Sequence, residues 1–350
     1  MECKKYNVAV LAGDGIGPEV CEAGRQVMQA AAEKDGHIAF TFTDHPWGCT
    51  YYKETGRMMP EAGLEILKNS DAILLGAVGR PDVPDHISLR GLLLTIRQGF
   101  DQYVNLRPVK LLKGAPCPLK DVKREDIDMI FVRENSEGEY AGKGVLEADR
   151  AEQVGVFTRK GCERIIHYAF ELAVREGRHR VTSISKGNAL NYSMVFWDKI
   201  FAEVAKDYPQ IETRSLLVDA ASMFMVKDPG RFDVVVCSNL FGDILTDLGA
   251  AIAGGMGLSA GANINPERRF PSMFEPIHGS APDIAGQGIS NPMATVWACS
   301  QMMDYFGRPD LGKKMLDAVE AVLEEGTVLT PDLGGSAKTD DVTRAIINKL

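Results

Sequence analysis

Ser238-Asn-Leu-Phe-Gly-Asp-Ile-Leu-Thr-Asp-Leu-Gly249 carries two carboxylates four residues apart, directly after the apolar run Val234-Val-Val-Cys237. A strand turning into a helix here puts Asp243 and Asp247 on one helix face, where like charges repel unless a cation lies between them. Paired carboxylates at the sheet edge where α/β proteins collect ligands suit a hard divalent ion, Mg2+ or Mn2+. The plainer alternative is a solvated face, with Asp243 favouring the helix N-terminus. Lys186, in Ser185-Lys-Gly-Asn188, follows another buried strand, and Asp219 follows the strand Ser215 to Val218. Both stand where such sheets put chemistry. Anionic ligands need cations, and Arg97, Arg107 and Arg133 are the candidates, although an arginine taken singly is more often a surface charge than a ligand. Arg107 is the best aimed of the three, because Pro108 forces an extended backbone before it and a guanidinium fork matches a carboxylate. Tyr140 follows in a glycine-rich loop (Gly138, Gly142, Gly144), where a lone tyrosine is more often packing. Between Phe274 and Pro292, prolines and glycines exclude regular structure. Glu275, His278, Ser280, Asp283 and Asn291 there offer donors and acceptors for the hydroxyls and phosphates of a polar ligand.

These residues need a sheet to hold them. Tyr6 to Ala12 reads as a buried strand running into Gly13-Asp-Gly-Ile-Gly-Pro-Glu19, and Val20 to Ala32 has a helical pattern with Pro18 in its first turn. The glycines are spaced two and two, where a dinucleotide-binding Rossmann loop wants two and then three, so this is a tight turn near a ligand and not a standard Rossmann domain. Ala72 to Leu75, Asp128 to Val132, Val181 to Ile184 and Val234 to Cys237 are further strand-like runs separated by helical patterns, including Ser88 to Phe100, which ends near Arg97. The chain is α/β with much parallel sheet. At 350 residues it is long enough for about two domains, yet no Pro/Gly/Ser-rich linker divides it. Two crossings between domains, near residues 102 and 256, fit that pattern.

A net charge of -9 leaves no broad basic surface, which argues against nucleic acid and anionic membranes as partners. No apolar leader or span-length run is visible, so a cytoplasmic location is expected. Seven cysteines, scattered singly from Cys3 to Cys299, fit reduced packing thiols and not a disulfide frame or zinc site.

Together these stretches resemble the β-decarboxylating dehydrogenases, the family of isocitrate, 3-isopropylmalate and tartrate/D-malate dehydrogenases. Gly13 to Glu19, Asn105-Leu-Arg-Pro108, Arg133 with Tyr140, Lys186 with Asn188, Asp219, Asn239 to Gly249 and the 275–292 loop carry the resemblance across nearly the whole chain. Trp47-Gly-Cys49, Gly56-Arg-Met-Met-Pro60, Phe100-Asp-Gln-Tyr103, Phe196-Trp-Asp198 and Asn265-Pro-Glu-Arg268 are similar to the tartrate/D-malate branch.

The resemblance implies an isopropylmalate-dehydrogenase-like two-domain α/β fold with a parallel or mixed sheet. Residues 1–102 and 257–350 would form a discontinuous first domain carrying most of the NAD site, and 103–256 a central dimerisation, substrate and metal domain. It implies a homodimer in which Asp219 reaches the partner's metal, completing a Mg2+ or Mn2+ site with Asp243 and Asp247; a monovalent cation is an open addition. Arg97, Arg107 and Arg133 would clamp the substrate's carboxylates, with Asn188 beside them. Lys186 would be the base, its pKa lowered by burial and arginines, and Tyr140 the acid that protonates the enolate. Glu275, His278, Gly279, Ser280, Ala281, Asp283, Ile284 and Asn291 would bind NAD. Asp283 can accept from ribose hydroxyls but repels a 2′-phosphate, and the NADP-using branch places Lys and Tyr at positions 283 and 284.

Substrate choice should lie in Ser88 to Leu94. Isocitrate enzymes have Ser and Asn where this chain has Gly91 and Leu93; isopropylmalate enzymes share leucines at 93 and 94 but carry an acid at 90. Arg90 departs from both, and from the Trp usual in the tartrate/D-malate branch. The expected reaction is oxidative decarboxylation of a small 2-hydroxy diacid, D-malate to pyruvate and CO2 or a tartrate. The alternatives are 3-isopropylmalate, isocitrate and homoisocitrate. A Mg2+-dependent phosphoryl-transfer enzyme would leave the 275–292 loop unexplained and shows no Walker loop. A non-catalytic homologue would have lost the base, acid or metal ligand, and none is lost here. Asp243→Asn is expected to cost metal affinity more than fold, since it removes carboxylate repulsion.

Overall fold

The apolar runs form strands, and the stretches of period 3.6 between them form helices. The computed structural model describes residues 3–350. Its strands, in chain order, are β1 (Lys4–Gly13), β2 (Ile38–Asp44), β3 (Ala72–Ala77), β4 (Val104–Lys110), β5 (Asp128–Glu134), β6 (Gly138–Leu146), β7 (Ala151–Val156), β8 (Arg180–Ser185), β9 (Glu212–Leu217), β10 (Val234–Cys237), β11 (Ala260–Ile264) and β12 (Ser272–Pro276). The chain divides into two compact units. One runs to Asp101, takes in Leu112–Pro116 and resumes over Gly254–Leu350; the other is Gln102–Leu111 with Cys117–Ala253.

In the first unit the strand order is β2-β1-β3-β12-β11. All these pairs are parallel except β11 with β12. Every residue of β3 is buried, as a strand covered on both faces requires. The helix Gly17–Asp35 follows β1, with Pro18 in its first turn and Gly36 ending it in a left-handed conformation. The helix Met293–Tyr305 is largely buried.

In the second unit the order is β4-β5-β10-β8-β9, antiparallel at β4/β5 and parallel elsewhere. Trp197, on the helix Ser193–Val204, is fully buried, and its Nε1 donates to Ser183 Oγ at 2.9 Å. β6 and β7 pair with each other as a separate hairpin.

Two local expectations are corrected. Tyr140 lies on strand β6 and not in a loop, because a register shift between Gly138 and Lys143 absorbs the glycines within a hairpin ladder. The expected single helix from Ser88 to Phe100 is three pieces: α-helix Asp85–Ser88, π-helix Leu89–Leu94 and α-helix Thr95–Gly99. The Thr95 hydroxyl donates to the Arg90 carbonyl at 2.6 Å, a bond five residues back that a π turn can offer. Among the described residues no helix is long and apolar enough to cross a membrane. The seven cysteines are free, and burial pushes the Cys21 and Cys237 thiols up to about 12, so neither is a ready nucleophile.

Candidate active site

Arg133 lies opposite Asn105 in the β4/β5 ladder, and Arg107 is two residues beyond Asn105, so the pleat aims both guanidiniums from one face of the sheet. The helix Asn239–Ile252 meets them there. Arg133 is only 1% exposed; its Nε and Nη2 donate to Asn239 Oδ1 at 3.1 and 2.7 Å, and its Nη1 to Asp243 Oδ1 at 2.5 Å. Arg107 Nη1 donates to Thr246 Oγ1 at 2.7 Å and lies 3.7 Å from Asp243 Oδ1. The Tyr140 hydroxyl donates to Asp243 Oδ2 at 2.8 Å. Gly242 makes this approach possible, since a Cβ there would sit 2.5 Å from Arg133 Cγ.

Burial would raise the pKa of Asp243, but the charges of Arg133 and Arg107 and the Tyr140 hydrogen bond outweigh it and hold the carboxyl below its ordinary value. Asp247, one turn on, goes the other way: desolvation and the Asp243 charge raise it against the pull of the arginines. The two aspartates thus share a helix face as their spacing predicts, with one kept firmly ionised.

Lys186 and Asp219 follow the ends of the neighbouring strands β8 and β9, and Lys186 Nζ donates to Asp219 Oδ1 at 2.6 Å. That hydrogen bond holds the Asp219 carboxyl below its ordinary value, although its side chain is 66% exposed. Asn188 is exposed in the turn after Lys186. Among the described residues no three His, Cys, Asp or Glu converge as a metal-holding group, so within one chain Asp219 does not gather with Asp243 and Asp247.

In the first unit, Arg97 Nη2 donates to Glu275 Oε1 at 2.6 Å, and Asn263 Nδ2 donates to the same oxygen at 2.8 Å. The residue expected from sequence to clamp a carboxylate and the one expected to bind the cofactor are here partners of each other. Leu94 is buried, Leu93 packs half-buried against the core, and Arg90 is exposed. In the loop after β12, Gly279 and Asp283 are exposed, while Ser280, Ala281 and Ile284 are half-buried. His278 Nδ1 lies 3.0 Å from the Gly279 carbonyl, and its buried Nε2 has no hydrogen-bond partner. Burial lowers the His278 pKa, which favours the neutral ring. Asn291 is buried, its Nδ2 donating to Asp332 Oδ2 at 3.0 Å.

Over residues 7–346 the sequence matches the isocitrate/isopropylmalate dehydrogenase family. The chain belongs to that family. A probable tartrate dehydrogenase/decarboxylase of Agrobacterium vitis is 49% identical over 352 residues, covering 99% of this chain and 98% of its own. D-malate dehydrogenase (decarboxylating) of Escherichia coli strain K12 is 50% identical, covering 98% of each. The crystal structure of isocitrate dehydrogenase from Methylococcus capsulatus superposes with a TM-score of 0.88 at 37% identity, covering 98% of this chain and 99% of that one. The mixed α/β fold of this dehydrogenase is therefore that of isocitrate dehydrogenase. Sequence reading missed Asn239 and Thr246 as partners of the arginines, because only the folded helix brings them across from β4 and β5. Their one signal was a position beside Asp243 and Asp247 on the same helix.

Proposed function

We propose that this dehydrogenase oxidises and decarboxylates a small 2-hydroxy diacid, D-malate or a tartrate, using NAD and Mg2+ or Mn2+. The observation that carries this reading is the convergence of two buried guanidiniums and a phenol on one ionised carboxylate. Such a site offers cations for an anionic substrate and a proton donor beside hard oxygen ligands. The similarity to relatives named as tartrate and D-malate dehydrogenases supports the same substrate class.

The residues fit both absent groups. Asp243, held ionised, and Asp247 present oxygen donors of the kind a hard divalent ion takes, with Asp219 proposed as a third ligand given by the partner protomer of a homodimer. The unpartnered Nε2 of His278 and the exposed Asp283 offer a donor or acceptor and a ribose-reading carboxylate to NAD. When bound, NAD supplies the hydride acceptor and the divalent ion the Lewis acid.

The chain's own residues do the rest. Arg107 and Arg133 hold carboxylate oxygens, and Arg97 serves as a further clamp by exchanging Glu275 for substrate. Lys186 Nζ, placed beside Asp219, takes the C2 hydroxyl proton. After CO2 leaves, the Tyr140 hydroxyl returns a proton to C3. Because Lys186 touches Asp219, the two act in the same site.

Initial rates on D-malate, L- and meso-tartrate, 3-isopropylmalate and isocitrate, each with NAD and NADP and with Mn2+ or EDTA, test this reading. D-malate or a tartrate should exceed 3-isopropylmalate in kcat/KM by at least ~10-fold, NAD should be preferred, and EDTA should abolish turnover. A best rate on 3-isopropylmalate or a tricarboxylate overturns the substrate, and full rate after exhaustive chelation overturns the metal. Arg90→Ala separates a solvent arginine, which leaves selectivity unchanged, from one that reads the C3 hydroxyl, whose removal lowers the rate on tartrate alone.

A further inference from the structure

We infer that Glu19 is a positioning residue for the dinucleotide, fixing from behind the loop that is proposed to read NAD; this rests on the NAD-dependent reading above. Glu19 lies in the first turn of the helix Gly17–Asp35, far in sequence from that loop. Its two carboxylate oxygens are nevertheless both spent on it. Oε1 accepts from the Gly286 N–H at 2.6 Å and Oε2 from the Ser290 hydroxyl at 3.0 Å. Such charge-assisted bonds are about twice as strong as neutral ones, and among the described residues no other side chain receives from either donor.

The turn before Glu19 grips the same loop further up. Ile16 N–H donates to the Ser280 carbonyl at 2.8 Å, and a Cβ on Gly15 would stand 1.9 Å from that oxygen, so only glycine lets the two backbones meet. On the far side, Thr339 donates its N–H to the Gly288 carbonyl at 2.9 Å and its hydroxyl to the Ser290 carbonyl at 2.7 Å. The stretch between these anchors is what they hold in shape. Ala281 has φ 39°, a left-handed conformation that a residue with a side chain keeps only when its surroundings impose it. Asp283 stands two residues on, with its side chain exposed and Ile284 N–H turned back to the Ala281 carbonyl at 3.1 Å.

A loop held from behind and open in front is pre-organised: its ordering entropy is spent in folding and not again when ligand binds. Glu19 therefore acts on cofactor affinity without touching the cofactor. Its removal should weaken NAD binding and leave both the diacid site and the chemical step alone.

The test is NADH titration by fluorescence on wild type, Glu19→Gln, Glu19→Ala and Ser290→Ala, with hydrogen exchange of the unliganded proteins and steady-state kinetics. Glu19→Ala should raise the Kd for NADH and the KM for NAD roughly ten-fold, with kcat at saturating NAD and the KM for the diacid unchanged. Exchange should quicken over residues 280–290 and not in β1 or β3. Glu19→Gln, which keeps an acceptor, should recover most of the affinity. Ser290→Ala, which removes one of the two donors, should show a smaller shift in the same direction and keeps the test open if Glu19→Ala does not fold. Wild-type affinity and exchange in Glu19→Ala, or in Ser290→Ala where Glu19→Ala does not fold, overturns the inference. So does a parallel fall in kcat and rise in both KM values, which marks general damage. A wild-type protein that binds no NADH overturns the functional reading instead, and is distinguished by the exchange data.

Discussion

Replacing Asp243 by Asn leaves the buried Arg133 with the Asn239 carbonyl as its remaining hydrogen-bond acceptor on this helix and takes from Arg107 its nearest carboxylate. Carboxylate spacing alone suggested that this change would relieve repulsion and spare the fold. The structure reverses the sign, because two cations from β4 and β5 face Asp243 and outweigh Asp247. Loss of a charged partner of a buried group costs about 1–3 kcal/mol, and the lower end applies where solvent screens a side chain 41% exposed. Thermal unfolding of Asp243→Asn without metal should show that loss, and Mn2+ should no longer raise its Tm as it raises that of wild type. An unchanged Tm in metal-free buffer would mean that the arginines are satisfied without Asp243. The arginines themselves were legible from Pro108 and from the strand before residue 133, but their partners were not. Arg133 finds Asp243 across 110 residues and Arg107 finds Thr246 across 139, separations at which local pattern carries no information.

At the scale of elements, periodicity worked where the element was regular. β1, β3, β5, β8 and β10 stand where the apolar runs are, and the helix after Pro18 starts where the proline allows. The π turn at Leu89–Leu94 and the hairpin around Tyr140 were missed, since the one depends on an extra residue in the turn and the other on a bulge in β6 between Gly138 and Lys143, neither of which hydropathy encodes. Close packing of elements makes its own prediction. The helix Asn239–Ile252 lies so close to Arg133 that Gly242→Ala must push one of them away, and overpacking of this kind costs about 1–3 kcal/mol. Activity should fall further than stability, because the displaced element carries Asp243; wild-type kcat with a lowered Tm would separate the glycine from the chemistry. A second helix is tied at its end by charge. Asp35, the last residue of Gly17–Asp35, accepts from Arg308 Nη1 and Nη2 at 2.7 Å each, and that pairing lowers its carboxyl to about 2. A depressed carboxyl contributes stability above its unfolded value of 3.8 and loses it as the pH falls toward 2. Asp35→Asn should therefore unfold at lower temperature than wild type at pH 6, and the gap should narrow below pH 4. A gap that stays constant to pH 3 would show that the pair contributes through geometry and not through charge.

For the whole molecule, chain-level patterning was enough to point to the family, but one chain does not bring the three aspartates together. In the proposed homodimer Asp219 serves the partner's metal, and the 2.6 Å hydrogen bond takes Lys186 with it. Mixed dimers then have a definite arithmetic. A protomer with Lys186→Met keeps its own Asp243, and a protomer with Asp243→Asn keeps its own Lys186, so a dimer of the two has one site complete and one doubly broken. Random reassortment of equal amounts makes half the dimers mixed, and the pool should recover roughly a quarter of wild-type activity from two inactive parents. Lys186→Met mixed with Asp219→Asn should recover nothing, because both groups enter every site from the same protomer and each site then lacks one of them. Unfolding and refolding the two pairs together, then assaying oxidation of the best substrate, reads both outcomes at once. Recovery in the second pair would separate Lys186 from Asp219, and no recovery in the first would place all four groups within a single chain's site.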